Sequence, residues 1–373
     1  MLHAVTTGAL DLFMPRESKD DSRTNGQPAV SIGMPVYNGE RYLRAAIDSL
    51  LAQDYSDFEL TISDNASEDK TEAICREYAA RDPRIRYYRA EKNMGAVWNF
   101  NRVFELSRGE YFMWAAFDDL RDPQYIEQCV NALEKHPAAV LCCTDVQVID
   151  EEGREVDESI VSRGIRPIGA TRRERVSALA RAIFWYDIYG LIRSRALAQT
   201  RMALPVWGFD VILVLELCLL GEVIAIPKKL FLYRFFLKKT NEDLAKSIVP
   251  TIAEHRAASA SWSFFALEMA RSVWLAPLRF SEKIKLLWLL LTELCLGNPL
   301  VRRNIGHEKI TAHLNEALRG KRYGLLAGLL SISSFVFLAD TVNNVINIIR
   351  HNRVMDSARY RSGKAWKRLF HII

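Results

Sequence analysis

An α/β fold built on a mostly parallel sheet is predicted for residues 30 to about 150. Two observations support this prediction: short apolar segments alternate with segments of helical spacing, and several of the apolar segments end in polar residues. Such alternation favours right-handed βαβ units, in which neighbouring strands run parallel. The topology that it indicates is nucleotide-binding-like.

The predicted elements follow one another closely. The strands cover residues 30–35, 58–63, 85–89, 110–115 and 139–144. Helical spacing is found over residues 39–53, 69–81, 94–107 and 123–136. Residues 67–70 are suited to cap the second helix, and Asp122-Pro123 to start the fourth.

The chain changes character after residue 150. Residues 151 to about 170 are polar and rich in glycine, which predicts an insertion or loop over the sheet edge. A helix leading into a strand around 187–193 follows, then a strongly apolar segment over 208–221 and two short strands at 222–227 and 230–234. We therefore predict a leader over 1–28, a domain over 29–240 and a helical C-terminal region over 241–373.

Composition excludes several classes of protein. Of 373 residues, 49% are apolar and 25% charged, which is typical of a globular protein, and a net charge of +5 does not suggest nucleic-acid binding. The six cysteines form no CxxC pair, so free core thiols in a reducing cytosol are expected. Residues 1–28 contain no apolar stretch long enough for a signal peptide.

The C-terminal region contains two apolar runs, 286–296 and 324–339, and a tail rich in Lys and Arg from Arg350 onward. Both runs are shorter than the roughly 20 residues that span a bilayer. Two compatible interpretations remain open. One is an interfacial anchor whose basic residues attract anionic lipid; the other is a helical bundle packed on the domain, with its basic end in solvent.

Polar residues follow three of the predicted strands. Asn38 follows the first strand, Asp64 the second, and the pair Asp118-Asp119 comes just after the apolar segment 110–115. An open parallel sheet binds its ligand beyond the carboxyl ends of its strands. The sequence therefore predicts one polar pocket at that edge.

The adjacent acids Asp118 and Asp119 are the strongest chemical signal in the chain. Two carboxylates beside a buried strand are costly unless a positive charge matches them. Mg²⁺ and Mn²⁺ prefer carboxylate and phosphate oxygens, so a divalent metal shared with a phosphate ligand is expected. The alternative is an exposed turn with no ligand.

Together these motifs resemble those of the inverting family 2 glycosyltransferases, over about residues 28–240. Pro35, Tyr37 and Asn38 match the P-x-Y-N at the end of that family's first strand. Residues 64–69 match its DDGSTD stretch, with Asn65 in place of the second acid. The resemblance implies the GT-A fold, a Rossmann-like mixed sheet flanked by helices, and a nucleotide-diphosphate sugar donor, with UDP favoured.

The resemblance also implies the residues on the donor side. Asp64 would read the nucleotide base, Asp119 and Asp118 would hold Mn²⁺ or Mg²⁺, and Arg234 would face the diphosphate. The full donor set is Pro35, Tyr37, Asn38, Asp64, Asn93, Gly95, Asn101, Asp118 and Arg234. From the residues alone, Asp64 with Asn65, and Asn93 with Gly95, are equally typical of ordinary helix starts.

An inverting transfer needs a base opposite the leaving group, and the family supplies an acid at the start of a helix. Asp210 is the candidate, although Phe209 stands where the family usually has a second acid. A helix N-cap is the alternative. The acceptor residues implied are Trp185, Tyr189, Gly190 and Trp207, whose aromatic members suit either sugar faces or a protein core.

The function implied is transfer of one sugar per encounter to a hydroxyl of a glycan. By resemblance the glycan is lipid-linked and serves bacterial cell-surface polysaccharide synthesis, at the cytoplasmic face of the membrane or in the cytoplasm. The Q-x-x-R-W motif of the family's processive members does not occur. Two alternatives are a sugar-phosphate nucleotidyltransferase, for which Gly39-Glu40-Arg41 is a poor loop, and a non-catalytic sugar-nucleotide-binding scaffold.

Overall fold

The computed structural model describes residues 26–156, 171–181, 186–236, 262–290 and 292–294. Its strands are β1 Val30–Val36, β2 Phe58–Asp64, β3 Ile85–Arg89, β4 Tyr111–Trp114, β5 Leu120–Arg121, β6 Ala139–Ile149, β7 Leu191–Arg193 and β8 Glu222–Arg234. In this part of the chain they form one eight-stranded sheet in the order β3-β2-β1-β4-β7-β6-β8-β5. The predicted α/β class is confirmed.

Helices separate the strands along the chain. Their bounds are α1 Leu43–Leu51, α2 Thr71–Arg81, α3 Ala96–Glu105, α4 Tyr125–Lys135, α5 Arg172–Arg181, α6 Ser194–Leu197, α7 Phe209–Leu220, α8 Trp262–Leu275 and α9 Phe280–Leu290. A single 3₁₀ turn, Tyr186–Tyr189, precedes β7. The four helices expected before residue 136 are all present and end within a few residues of their predicted limits.

The first half of the sheet is parallel, as expected. β1 pairs in parallel with β2 and β4, and β2 with β3. Every residue of β1 and of β2 is buried. Strands covered on both faces read as nearly continuous apolar runs, which is why these two were recognisable in the sequence.

The second half of the sheet is mixed, as the implied GT-A fold predicted. β7 is antiparallel to both β4 and β6, while β8 is parallel to β6 and antiparallel to β5. The two strands predicted at 222–227 and 230–234 are one strand, β8. Its register against β6 shifts between Ile226 and Lys229, and Pro227, which lacks an N–H, lies in that bulge.

The helix α7 is buried on nearly all sides. Ten of its twelve residues are buried, which explains why its sequence shows no polar face. It packs against α5 and the 3₁₀ turn, and on another side against α8, while α9 packs against α5 and α8. The chain divides into two compact units, residues 1–304 and 305–373. The second unit, and with it the apolar run 324–339, lies outside the described residues.

No helix among the described residues has both the length and the apolar character that crossing a bilayer requires. The five cysteines in the described ranges are buried free thiols. The predicted limits of the leader, the domain and the C-terminal region stay predictions.

Glu59 anchors the amino end of the sheet, opposite the predicted pocket. Its buried carboxylate accepts hydrogen bonds from Ser31 Oγ at 2.6 Å, Arg86 Nη1 at 3.0 Å and Arg108 Nη2 at 2.6 Å. These groups join β1, β2, β3 and the turn before β4. The two guanidinium groups hold the pKa of Glu59 below its usual value although burial acts in the opposite direction.

Replacing Glu59 by alanine should destabilise the fold by about 2 kcal/mol, because two part-exposed guanidinium groups and a buried hydroxyl lose their acceptor. Urea unfolding of the variant measures this. Glu77→Ala, which removes a half-buried acid on α2 that pairs with Arg44 and Arg81, should leave the midpoint nearly unchanged. Equal midpoints for the two variants would contradict an anchoring role for Glu59.

Candidate functional site

The carboxyl ends of β1, β2, β3 and β4 bring the predicted polar residues to one edge. The strand order places the segment after β1 between those after β2 and β4. Asn38, Asp64 and the Asp118-Asp119 pair therefore follow neighbouring strands, as the sequence predicted. Pro35 lies inside β1 opposite Ser63, beyond the last residue of β1 that pairs with β4, so its missing N–H leaves no gap in that ladder.

Asp64 lies at the end of β2 and is completely buried. Its carboxylate accepts hydrogen bonds from the Ser67 N–H at 2.8 Å and from the Tyr87 hydroxyl at 2.8 Å, and it pairs with the Arg89 guanidinium. These bonds close the turn after β2 and join it to β3. Asp64 thus has a structural role at this edge, and its predicted contact with a nucleotide base stays a prediction.

Three asparagines link the loops at this edge. Asn38 has a positive φ of 52° and its Oδ1 accepts the Glu68 N–H at 2.9 Å. Asn65 donates to Asn93 Oδ1 at 2.9 Å and accepts the Met94 N–H at 2.9 Å. An aspartate at 65 could not donate, so Asn65, where the chain departs from the family pattern, has a role that sequence reasoning missed.

The start of α3 is shaped by the same loop. Gly95 has φ 89° in the N-cap position, a conformation that glycine tolerates best, and its N–H bonds Asn93 Oδ1 at 2.9 Å. Asn99, one turn into the helix, is buried and donates to the Ser63 carbonyl at 2.8 Å. Asn99 therefore ties α3 to the end of β2. The repeated asparagines of this segment were the signal in the sequence.

Asn101, predicted on the donor side, is directed to another loop. Its amide group donates to the Ala203 carbonyl and accepts the Ala203 N–H, both at 3.0 Å. The structure therefore brings Asn101 against the segment that leads to α7. Tyr37 and Met94, by contrast, are 38% and 44% exposed. They leave uncovered apolar surface beside the asparagines, of a kind that suits a flat ring.

The acidic pair lies between β4 and β5. Asp119 is buried, and its Oδ1 accepts the backbone N–H of Arg234 at 2.8 Å. Burial, with the negative charge of Asp118 as the second cause, raises the pKa of Asp119 to about 8. The nearby charge of Arg121, a buried residue that sequence reasoning missed, opposes this rise. Because the ionised form of Asp119 is disfavoured here, a positive charge bound beside it would stabilise that form.

Arg234 clamps this region. Its Nε donates to the Asp118 carbonyl at 2.8 Å, and its Nη1 donates to the carbonyls of Asp150 at 2.7 Å and Glu151 at 3.1 Å. The guanidinium also lies over the Tyr42 ring, 4.6 Å from its centroid. The side chain that was expected to face a diphosphate is thus bonded to backbone carbonyls of the loops after β4 and β6.

Asp118 and Asp119 are the predicted ligands of a divalent metal. Within the described residues, no cluster of three or more His, Cys, Asp and Glu side chains is arranged to hold an ion. Asp118 and Asp119 offer two carboxyl groups. A negative charge on buried Asp119 is unfavourable unless a positive charge lies beside it, as its raised pKa indicates. Mg²⁺ in proteins is usually held by one or two carboxylates together with substrate phosphates. The residues present fit an ion shared with a phosphate ligand.

The pKa of Tyr189 responds to the charges of both the acidic pair and Asp210. Burial raises its pKa well above the ordinary value, and the negative charges of Asp119, Asp118 and Asp210 raise it further. The Tyr189 phenol therefore stays protonated near neutral pH. The helix α7, whose second residue is Asp210, packs against the 3₁₀ turn that ends at Tyr189, and this turn also packs against β4. Asp210, far along the chain, is thus brought to the part of the fold where the strand-end acids lie.

The other predicted acceptor residues have different surroundings. A Cβ on Gly190 would lie 2.6 Å from Leu141 Cδ1 and 2.7 Å from the Cys142 carbonyl oxygen. Gly190 is therefore closely packed against β6, and its predicted place on the acceptor side stays a prediction. Trp207 packs edge-on against Phe265 of α8, with ring centroids 5.6 Å apart. Trp185 lies outside the described residues.

Asp210 occupies the second position of α7. The N-cap is Gly208, so the N-cap alternative for Asp210 does not hold. Its Oδ1 accepts the Val211 N–H at 2.8 Å. Burial raises the pKa of Asp210 to about 6, although backbone hydrogen bonds lower it. A carboxylate with a pKa near 6 is mostly ionised at neutral pH and is still a stronger base than an ordinary aspartate.

Comparison with protein-family models gives a match for residues 31–197, to the model described as glycosyl transferase family 2. An uncharacterized glycosyltransferase of Rickettsia typhi is 42% identical over 108 residues, which is 29% of this chain and 33% of the relative. An uncharacterized protein of Mycobacterium tuberculosis is 32% identical over 209 residues, or 55% of this chain and 58% of the relative. The chain thus spans about a third to a little over half of these relatives.

Among solved structures, S. aureus TarS 1-349 in complex with UDP-GlcNAc has a TM-score of 0.56 at 16% identity, covering 77% of this chain and 80% of TarS 1-349. A second TarS structure gives 0.54 at 15% identity, covering 84% of this chain and 53% of that one. These likenesses confirm the predicted GT-A fold. The family match ends at residue 197, so Asp210 and Arg234 lie beyond it.

Proposed function

We propose that the protein is a metal-dependent inverting glycosyltransferase, starting from the match of residues 31–197 to the glycosyl transferase family 2 model. It would move a sugar from a nucleotide-diphosphate donor to a hydroxyl group of a glycan. The observation that carries the proposal is that the fold brings two acidic sites toward each other: the Asp118-Asp119 pair after β4, and Asp210 on α7, which packs against the same 3₁₀ turn as β4. The first site suits a charged diphosphate with its metal, and the second suits a base.

The donor would lie over the carboxyl edge of β1 to β4. Tyr37 and Met94 offer exposed apolar surface for the nucleotide base, beside the loops held by Asn65 and Asn93. The proposed contact of Asp64 with the base depends on the turn that its own carboxylate closes. Asp119 and Asp118 would hold Mn²⁺ or Mg²⁺ against the diphosphate. When bound, the metal would neutralise negative charge on the leaving nucleotide diphosphate.

Asp210 would act as the general base. Its carboxylate would take the proton of the acceptor hydroxyl as that oxygen forms a bond to the anomeric carbon. The bond from this carbon to the phosphate oxygen breaks at the same time, and the oxygen leaves with the electron pair. Attack opposite the leaving group inverts the anomeric centre. Tyr189, protonated near neutral pH, would remain a hydrogen-bond donor through its hydroxyl group.

The finer proposals concern the acceptor and the place of action. We propose a lipid-linked glycan of cell-surface polysaccharide as the acceptor, and the cytoplasmic face of a membrane as the place. The described part of the C-terminal region offers one supporting feature. Phe280, Ile284 and Trp288 follow at intervals of four on α9 and are 67%, 41% and 48% exposed. Exposed Arg279 and Lys285 accompany them, as on helices that lie in a lipid interface.

Donor binding should depend on Asp119. Thermal shift with UDP, TDP, GDP and CDP, each with and without Mn²⁺, should show that one diphosphate raises the melting temperature only when the metal is present. Asp119→Ala should lose this response, because the shared ion loses its buried ligand. Glu127→Ala, an equal charge change on the exposed face of α4, should keep it. An undiminished response in Asp119→Ala would remove the metal assignment.

Transfer should depend on Asp210 in its ionised form. Asp210→Asn should bind the donor normally and lose about 10²- to 10⁴-fold in kcat, because the amide cannot accept the proton. In the unaltered enzyme, kcat/KM should fall as pH drops through about 6, where Asp210 becomes protonated. Steady-state assays across pH test both points. Asp122→Asn is the matched control, and normal turnover by Asp210→Asn would refute the base.

Binding to a membrane surface should depend on the exposed face of α9. Sedimentation with phosphatidylcholine vesicles containing anionic lipid should carry down the protein, and the double variant Phe280→Ser, Trp288→Ser should bind less, because apolar area no longer enters the interface. Met94→Ser removes a comparable exposed side chain elsewhere and should bind as the original. Equal sedimentation of all three proteins would contradict the proposed contact.

A further inference from the structure

The helix α8 packs against the segment that leads into α7, whose second residue is Asp210. Trp207 and Phe265 are in edge-on contact, and Phe265 is 1% exposed. The helix α8 starts at residue 262, well beyond the end of the family match at 197. A helix outside the matched region therefore packs against the segment just before the candidate base, Asp210.

Gly208 shows how close this contact is. Its φ of 76° and ψ of 21° are left-handed, which favours glycine. A Cβ at this position would lie 2.7 Å from Cδ2 and 2.8 Å from Cε2 of Phe265. The Phe265 ring therefore occupies the space that the missing side chain leaves. The backbone two residues before Asp210 is fixed both by its own conformation and by that ring.

A second contact ties α8 to α7 through buried charges. Arg201 donates from Nε to Glu216 Oε1 on α7 at 2.6 Å, and from Nη1 to Glu268 Oε2 on α8 at 2.6 Å. Ser272 of α8 completes the cluster by accepting from Arg201 Nη2 at 2.6 Å and donating to Glu216 Oε1 at 3.0 Å. All four side chains are largely buried. Charge-assisted bonds of this kind fix the two helices in one relative position.

The front of the same loop is held by the matched domain. Phe209 packs edge-on against Phe100 of α3, with ring centroids 5.5 Å apart. Asn101, the next residue of α3, bonds both backbone groups of Ala203. The segment from 201 to 210 is thus held between α3 on one side and α8 on the other. Neither contact involves Asp210 itself, so its carboxylate stays available.

We propose that α8 is a positioning element for Asp210, with Phe265 fixing the loop at Gly208 and the Arg201–Glu268 pair fixing α7. The inference rests on the proposed role of Asp210 as the base. A base must meet the acceptor hydroxyl within hydrogen-bond reach, and a misplacement of about 1 Å can cost about 10²-fold in rate. The Phe265 ring, itself 1% exposed, covers the backbone at Gly208, two residues before Asp210.

The test uses the full chain and the variant Phe265→Ala. Titration of aspartate carboxyl carbons by NMR, with the Asp210 signal identified by its loss in Asp210→Asn, should give a pKa near 6 in the original protein. In Phe265→Ala it should move toward the ordinary value of about 4, because water reaches the loop. The kcat should fall about tenfold or more with an unchanged donor KM.

Val273→Ala is the matched control. Val273 is also buried on α8, but it lies eight residues along the helix from Phe265, about 12 Å away at 1.5 Å per residue. It should lower stability without moving the Asp210 pKa or kcat. Glu268→Gln is the second variant, because it keeps shape while breaking the ion pair, and it should lower kcat with the donor KM unchanged.

The outcomes separate the two levels of inference. If Phe265→Ala and Glu268→Gln fold and match Val273→Ala in Asp210 pKa and in kcat, the positioning role of α8 is refuted. If the original protein transfers no sugar from any donor, the proposed function fails, and the NMR titration still decides whether α8 controls the environment of Asp210. Partial recovery of the Asp210 pKa in Phe265→Leu would support the packing explanation.

Discussion

The candidate site depends on the hydrogen bonds that Arg234 makes at the end of β8. Its backbone N–H bonds Asp119, and its guanidinium bonds the carbonyls of Asp118, Asp150 and Glu151. One side chain thus joins the loops after β4 and β6 to the last strand. Because five N–H donors lie in one fixed plane, arginine can satisfy several carbonyls at once, which lysine cannot. The bonds from the Arg234 backbone N–H to Asp119 and from its Nε to the Asp118 carbonyl hold the acidic pair in place.

The parallel half of the fold was predictable because its strands are buried on both faces and read as apolar runs. The mixed half was implied by the family resemblance, but the pattern of the residues did not predict it. β7 has three residues, Leu191–Arg193, and its direction follows from the 3₁₀ turn before it, which has no clear sequence signal. The bulge in β8 gave a misleading signal: Pro227 and the lysines after it suggested a break between two strands, whereas the strand continues through them.

For the candidate site, the sequence predicted where acidic residues lie in the fold better than it predicted which groups the site residues contact. Asp118, Asp119 and Asp210 were recognised because acids at the ends of strands and starts of helices are conspicuous. Asn101 and Gly190 were also selected, but the structure commits Asn101 to Ala203 and Gly190 to β6. Residue type shows what a group can bond, whereas the fold decides which group it meets. Asn65 was described only as a departure from the family pattern. Its role depends on bonds to Asn93 and Met94, which lie 28 and 29 residues away, and the sequence does not show such contacts.

The buried cysteines of the described chain have a practical consequence. Burial raises the pKa of Cys75 and of Cys218 to about 12, and raises that of Cys143 well above its ordinary value. The thiolate is the form that attacks alkylating reagents, so these sulfurs are protected both by lack of access and by lack of charge. Cys75 lies on α2 and Cys218 on α7, on opposite sides of the sheet's switch from parallel to mixed pairing. The rate at which each becomes alkylated would therefore report, separately for the two halves, how often the native chain opens.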